Sequence, residues 1–125
     1  MFNKKQLWQI ELGTEKGLDV SIYAKPEFKW QQMLEIRKGL RGGVNASIYA
    51  NPEFKWQQMA EVRWGLEEGL DVSSYVNPGF NVQQMQQIRW GLLVSLDVSA
   101  YAKPEFDWGQ MEQIRLRLEK EKNNV

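Results

Sequence analysis

Four prolines, Pro26, Pro52, Pro78 and Pro104, stand 26 residues apart, and each opens a copy of one phrase. Residues 52–59 read Pro-Glu-Phe-Lys-Trp-Gln-Gln-Met, and residues 26–33 are the same. The later copies keep the proline, the phenylalanine, a glutamine and the methionine at fixed offsets. A period of this length means one supersecondary unit per repeat. One unit cannot bury its apolar face alone, so neighbours must stack. The register continues upstream: Phe2 aligns with Phe28, and Leu7 with Met33. We therefore divide residues 1–122 into units 1–26, 27–52, 53–78 and 79–104 and a terminal helix 105–122, with a tail at 123–125.

Each unit carries the marks of a helix start. Asn3 and Gln6, Asn81 and Gln84, and Asp107 and Gln110 have capping-box spacing, in which each side chain satisfies the other's orphan backbone donor. Lys29 and Lys55 hold the cap position in the second and third copies, so those starts are weaker. Each phenylalanine precedes its cap, with a leucine or methionine five residues on, the spacing of a hydrophobic staple. Met33, Ile36 and Leu40 then follow at i, i+3, i+7. Gly17, Gly43 and Gly69 suit the position just past a helix end, and Ser95 suits it less well. The spacing predicts long helices at 4–16, 30–42, 56–68, 82–94 and 108–121.

A short apolar segment follows each of the first four helices, beginning at Leu18, Val44, Leu70 and Leu96. Asp19, Asn45, Asp71 and Asp97 are good N-caps for it. All four tyrosines fall at one position within it. We expect a short helix or 3₁₀ turn, ended by Ala/Val-Lys/Asn-Pro, because the residue before proline is pushed out of the helical region. The fold class is thus all-α: a short right-handed α-solenoid of five long and four short helices. Gly13, Gly39, Gly65 and Gly91 lie inside the long helices, where glycine costs about 1 kcal/mol against alanine. The simplest reading is that they admit the next unit. The fifth helix has Arg117 there and no unit after it.

Several classes of function find no support. There is no cysteine and no histidine, which removes the usual thiolate and imidazole chemistry. The acids that repeat, Asp19, Asp71 and Asp97, are explained by capping. No glycine-rich phosphate loop is present. We expect no enzyme, no cofactor and no metal site. Cations and anions balance at 16 each, so no net field favours nucleic acid. No apolar run is long enough to span a membrane, and the N-terminal lysines precede no apolar signal core. A soluble cytoplasmic protein is the expectation.

The consensus from Gln-Met through Ile-Arg-x-Gly-Leu-x-x-Gly-Leu-Asp-Val-Ser-x-Tyr-Ala resembles a tandem repeat of uncharacterised bacterial proteins, often from mobile elements and phages. That resemblance implies an inhibitor or adaptor acting on a host factor and carries no catalytic residue. The alternation of long and very short helices is similar to the variant leucine-rich solenoids, an analogy of fold alone.

Two rows of residues could carry function. Arg37, Arg63, Arg89 and Arg115 supply one cation per unit. They could track a phosphate backbone, or tie adjacent units together. The six tryptophans form the other row. Trp30, Trp56 and Trp108 take the first helical position, Trp8 lies four residues along, and Trp64 and Trp90 eight along. Such offsets stay on one helix face. The aligned positions vary freely between units, unlike the uniform phenylalanine and tyrosine positions. Tryptophan is also the residue most enriched at binding hot spots. The first reading is a protein-binding stripe of Trp8, Trp30, Trp56, Ala60, Trp64, Trp90, Leu93 and Trp108. The second is nucleic acid along the arginine row, with tryptophans as stacking platforms. The third is a homodimer through the stripe.

Overall fold

The computed structural model describes residues 1–124. Among them, five α-helices alternate with four 3₁₀ turns, and there is no strand. The helices are α1 (Lys4–Glu15), α2 (Trp30–Arg41), α3 (Trp56–Glu67), α4 (Val82–Leu93) and α5 (Trp108–Asn123). The turns are Val20–Ile22, Ala46–Ile48, Val72–Ser74 and Val98–Ala100. Each helix packs on the next in sequence, as stacked repeats must. No helix among the described residues is long and apolar enough to cross a membrane.

The helix ends follow the local chemistry. Asn3, Asn81 and Asp107 each accept from the backbone N–H of the glutamine three residues on, and that glutamine accepts from the cap N–H in return. At Lys29 and Lys55 only the glutamine half forms, because an ammonium cannot accept. Gly17, Gly43 and Gly69 close the first three helices in the left-handed region. Ser95 takes the same conformation at φ 60°, the one non-glycine among the described residues to do so.

The core repeats like the sequence. Tyr23, Tyr49, Tyr75 and Tyr101 are wholly buried, together with Met33, Met59, Met85 and Met111. Phe28, Phe54 and Phe80 lie beside them. Leu7 occupies the methionine position of α1 but is exposed, because no unit among the described residues covers that side of the helix.

The tyrosines correct one expectation. The mid-helix glycines do not admit the following unit; they admit the tyrosine of the turn that follows their own helix. A β-carbon on Gly13, Gly39, Gly65 or Gly91 would overlap the hydroxyl oxygen of Tyr23, Tyr49, Tyr75 or Tyr101. Each hydroxyl donates to the carbonyl four residues before the glycine: Tyr23 to Gln9 at 2.6 Å, Tyr49 to Glu35 at 2.6 Å, Tyr75 to Glu61 at 2.8 Å, Tyr101 to Gln87 at 2.6 Å. No such turn follows α5 among the described residues, so Arg117 is free to stand there, well exposed and beside Glu121.

Stacking is held by a polar clamp. The Gln6 amide nitrogen donates to the Phe28 carbonyl at 2.7 Å and more weakly to the Pro26 carbonyl at 3.3 Å. Gln32, Gln58 and Gln84 do the same to the next proline loop, at 2.6–2.7 Å for the phenylalanine carbonyl. Each of these glutamines is buried, so its pairing avoids a desolvation cost of about 1–3 kcal/mol.

Candidate functional site

The arginine row turns inward. Arg37 Nε donates to Gln9 Oε1 at 2.8 Å, Arg63 to Glu35 at 3.0 Å, Arg89 to Glu61 at 3.0 Å and Arg115 to Gln87 at 2.8 Å. Each acceptor is buried and belongs to the preceding helix. Arg63 adds Glu67, Arg89 adds Glu68 and Arg115 adds Glu119. Burial works to lower the pKa of Arg63 and Arg89, but their carboxylate partners outweigh it and hold both raised. These three guanidiniums are nearly covered, so the row joins unit to unit and offers no open cationic track.

The tryptophans stay at the surface. Trp8, Trp56, Trp64, Trp90 and Trp108 are between 38% and 59% exposed, and Trp30 is half-buried. Ala60 is buried, contrary to its placement in the stripe; its methyl is covered where the larger side chains at this position reach outward. Two guanidiniums, those of Arg63 and Arg89, each lie 5.7 Å from the Trp64 ring centre. Arg115 lies 5.6 Å from the Trp90 ring. Each indole therefore borders the ladder of ion pairs, a contact of about 0.5–1 kcal/mol. Both remain partly exposed.

The end of α4 departs most from its repeats. Leu93 aligns with Glu15, Arg41, Glu67 and Glu119, and Val94 with Lys16, Gly42, Glu68 and Lys120. Both are exposed, at 44% and 42%, and Leu116 on α5 is 51% exposed. Trp90, Leu93 and Val94 stand at i, i+3, i+4, on one helix face. Trp64 and Leu116 occupy the Trp90 position one unit to either side. Arg89 should use an acid at position 93, as Arg63 uses Glu67. It reaches back instead and grips both oxygens of Glu68 at 3.0 Å. Position 93 is thereby released from the ladder and carries an apolar side chain into solvent. No protein-family model, no curated protein and no solved structure matches this chain.

Two sets of residues escaped the sequence reading. The buried acceptors Gln9, Glu35, Glu61 and Gln87 were unassigned, although they recur 28 residues before each arginine. The glutamines Gln6, Gln32, Gln58 and Gln84 recur at one position of the repeat, but their carbonyl targets 22 residues on carry no mark in the sequence. Elsewhere a groove between α1 and α2, lined by Lys4, Lys5, Trp8, Gln9 and Trp30, encloses about 350 Å³.

Proposed function

We propose that this chain is a non-enzymatic protein-binding repeat module. Its contact surface is the apolar patch of Trp64, Trp90, Leu93, Val94 and Leu116, and its partner is another protein. The observation that carries the reading is the pair Leu93 and Val94, exposed and apolar where other units are mostly charged. Nothing in the stacking calls for them, since Glu68 already completes the ion pair of Arg89. Contiguous exposed apolar residues on a repeat surface mark an interaction site. Two large aromatics among aliphatics, with charged Glu67, Glu68, Glu112 and Lys120 nearby in sequence, have the make-up of a hot spot and its polar rim. The tryptophans at the other positions extend the stripe beyond this centre. The mobile-element setting implied by the repeat consensus would make the partner a host factor.

The test transplants residues from the protein's own third unit. Leu93→Glu with Val94→Glu places at these positions the acids found at Glu67 and Glu68. The variant should keep its helical circular dichroism and its melting temperature. A partner captured by the wild-type chain from host lysate should be lost by the variant and kept by Leu7→Glu, a change at the far end of the array. Equal capture by both chains would reject the patch. Light scattering of the wild type alone tests the remaining reading, in which a second copy covers the patch.

A further inference from the structure

The first inter-unit groove differs from the three that follow it, and the differences share one chemical sense. In each groove the arginine of one helix meets a buried acceptor of the helix before. For Arg63 and Arg89 that acceptor is a carboxylate, and each has a second carboxylate as well. Arg115 has Gln87 and the carboxylate of Glu119. Arg37 has only the neutral Gln9, and Arg41 stands where Arg63 and Arg115 have Glu67 and Glu119. Among the described residues no carboxylate lies within ion-pair reach of Arg37. This groove holds a cation that the others neutralise.

Gln9 shows where the missing charge belongs. The residue is only 5% exposed, and it lines the cleft between α1 and α2. Arg37 Nε can only donate, so the carboxamide oxygen must face it. The Gln9 amide nitrogen, a donor, is the end left for the cleft, and it makes no hydrogen bond among the described residues. That nitrogen is not sealed in the core but open at the cleft, where it can donate to a ligand. Lys4 and Lys5 complete the mouth, and neither has a carboxylate within ion-pair reach. The walls are indoles: Trp8, the most exposed tryptophan, and Trp30, over which Lys5 Nζ stands 5.2 Å from the ring centre.

We propose that this cleft binds a small planar aromatic anion, a ring bearing a carboxylate or phosphate. The ring stacks against Trp8 and Trp30, and the anionic group meets Lys4, Lys5 and the Gln9 amide. The volume, about 350 Å³, suits a small molecule. The ligand is not an extended strand, because the cationic character ends after one groove. In the next one the aligned residues are Trp30 and Gln31 for the lysines, Leu34 for Trp8 and the paired Glu35 for Gln9.

The experiment follows the indole N–H signals of the full chain by nuclear magnetic resonance. Four probes are titrated: adenosine monophosphate, indole-3-acetate, adenosine and inorganic phosphate. At least one of the two aromatic anions should shift the Trp8 and Trp30 signals saturably, and which one does identifies the source as phosphate or carboxylate. Adenosine and inorganic phosphate should bind at least about tenfold more weakly. Gln9→Glu supplies Arg37 with the partner that Arg63 and Arg89 already have, so the fold is retained while the donor becomes an acceptor. Binding should fall at least about tenfold in Gln9→Glu, and likewise in Lys4→Gln with Lys5→Gln. The Leu93→Glu, Val94→Glu chain should bind as the wild type does, which keeps this cleft independent of the protein-binding patch. Three results overturn the proposal: no saturable shift by either aromatic anion at millimolar concentration, undiminished binding to Gln9→Glu, or equal affinity for an uncharged or ring-free probe.

Discussion

Gly39→Ala sets helix propensity against packing, and the two disagree in sign. In an isolated helix the change gains about 1 kcal/mol. In this fold the new methyl would overlap the hydroxyl of the wholly buried Tyr49, with Tyr49 Cζ and Ala46 Cβ each 3.2 Å away. The ring must shift, at an overpacking cost of about 1–3 kcal/mol. The hydrogen bond to the Glu35 carbonyl goes with it, about 1 kcal/mol more. The expected net effect is a loss of about 1–3 kcal/mol by urea denaturation followed by circular dichroism. Tyr49→Phe alone should cost about 1 kcal/mol, since the Glu35 carbonyl is within the α2 helical ladder. In that background the oxygen that the methyl would strike is absent, and Gly39→Ala should cost little or stabilise. The double-mutant cycle should show a coupling of at least about 1 kcal/mol. A higher urea midpoint for Gly39→Ala, or additivity within about 0.5 kcal/mol, would refute the assignment of the glycine to the tyrosine.

Three further outcomes are expected. Lys55→Asp should complete the half-formed capping box with Gln58 and raise stability by about 1 kcal/mol; an unchanged or lower melting temperature would contradict it. Glu35→Gln should be mild, since Gln9 and Gln87 serve their arginines as neutral acceptors, whereas Arg63→Met leaves the buried Glu35 with only the half-exposed Lys38, 3.7 Å away, and should cost about 3 kcal/mol; equal losses by calorimetry would refute the ladder. Burial holds the phenols of Tyr49, Tyr75 and Tyr101 well above their ordinary pKa, so the unfolded chain ionises first. Stability from this source is full below about pH 10 and falls above it by about 1.4 kcal/mol per pH unit for each tyrosine. Tyr49→Phe should make that alkaline decline shallower.

Architecture was legible in the sequence because it is local and repeated. Caps, C-terminal glycines and proline breaks act within a few residues, and each of the five helices starts where its cap predicts and ends within two residues of the expected boundary. The cross-unit chemistry was not legible, because its partners lie 22 and 28 residues apart and meet only after stacking. The glycine–tyrosine lock lay between these cases. Gly13, Gly39, Gly65 and Gly91 each precede a tyrosine by ten residues. That constant spacing was the available signal, and it pointed to the tyrosine rather than to the following unit. Trp64 and Trp90 were readable as surface residues from the lysine at position 38. Their stacking on the arginine ladder depends on three-dimensional proximity to Arg89 and Arg115.

The glutamine clamp has a direction. Every unit donates forward from its helix and receives on the carbonyls of its proline loop, so its two edges are complementary to each other. Removing or duplicating any stretch of one period joins a donor edge to an acceptor edge of the same kind, so the clamp itself is kept. Unequal recombination between copies of a gene built this way would lengthen or shorten the protein in whole steps, each product competent to fold at once. The number of units is then adjustable at the clamp, and a surface such as the one on α4 can travel along the array as long as the unit before it brings an acid in the place of Glu68.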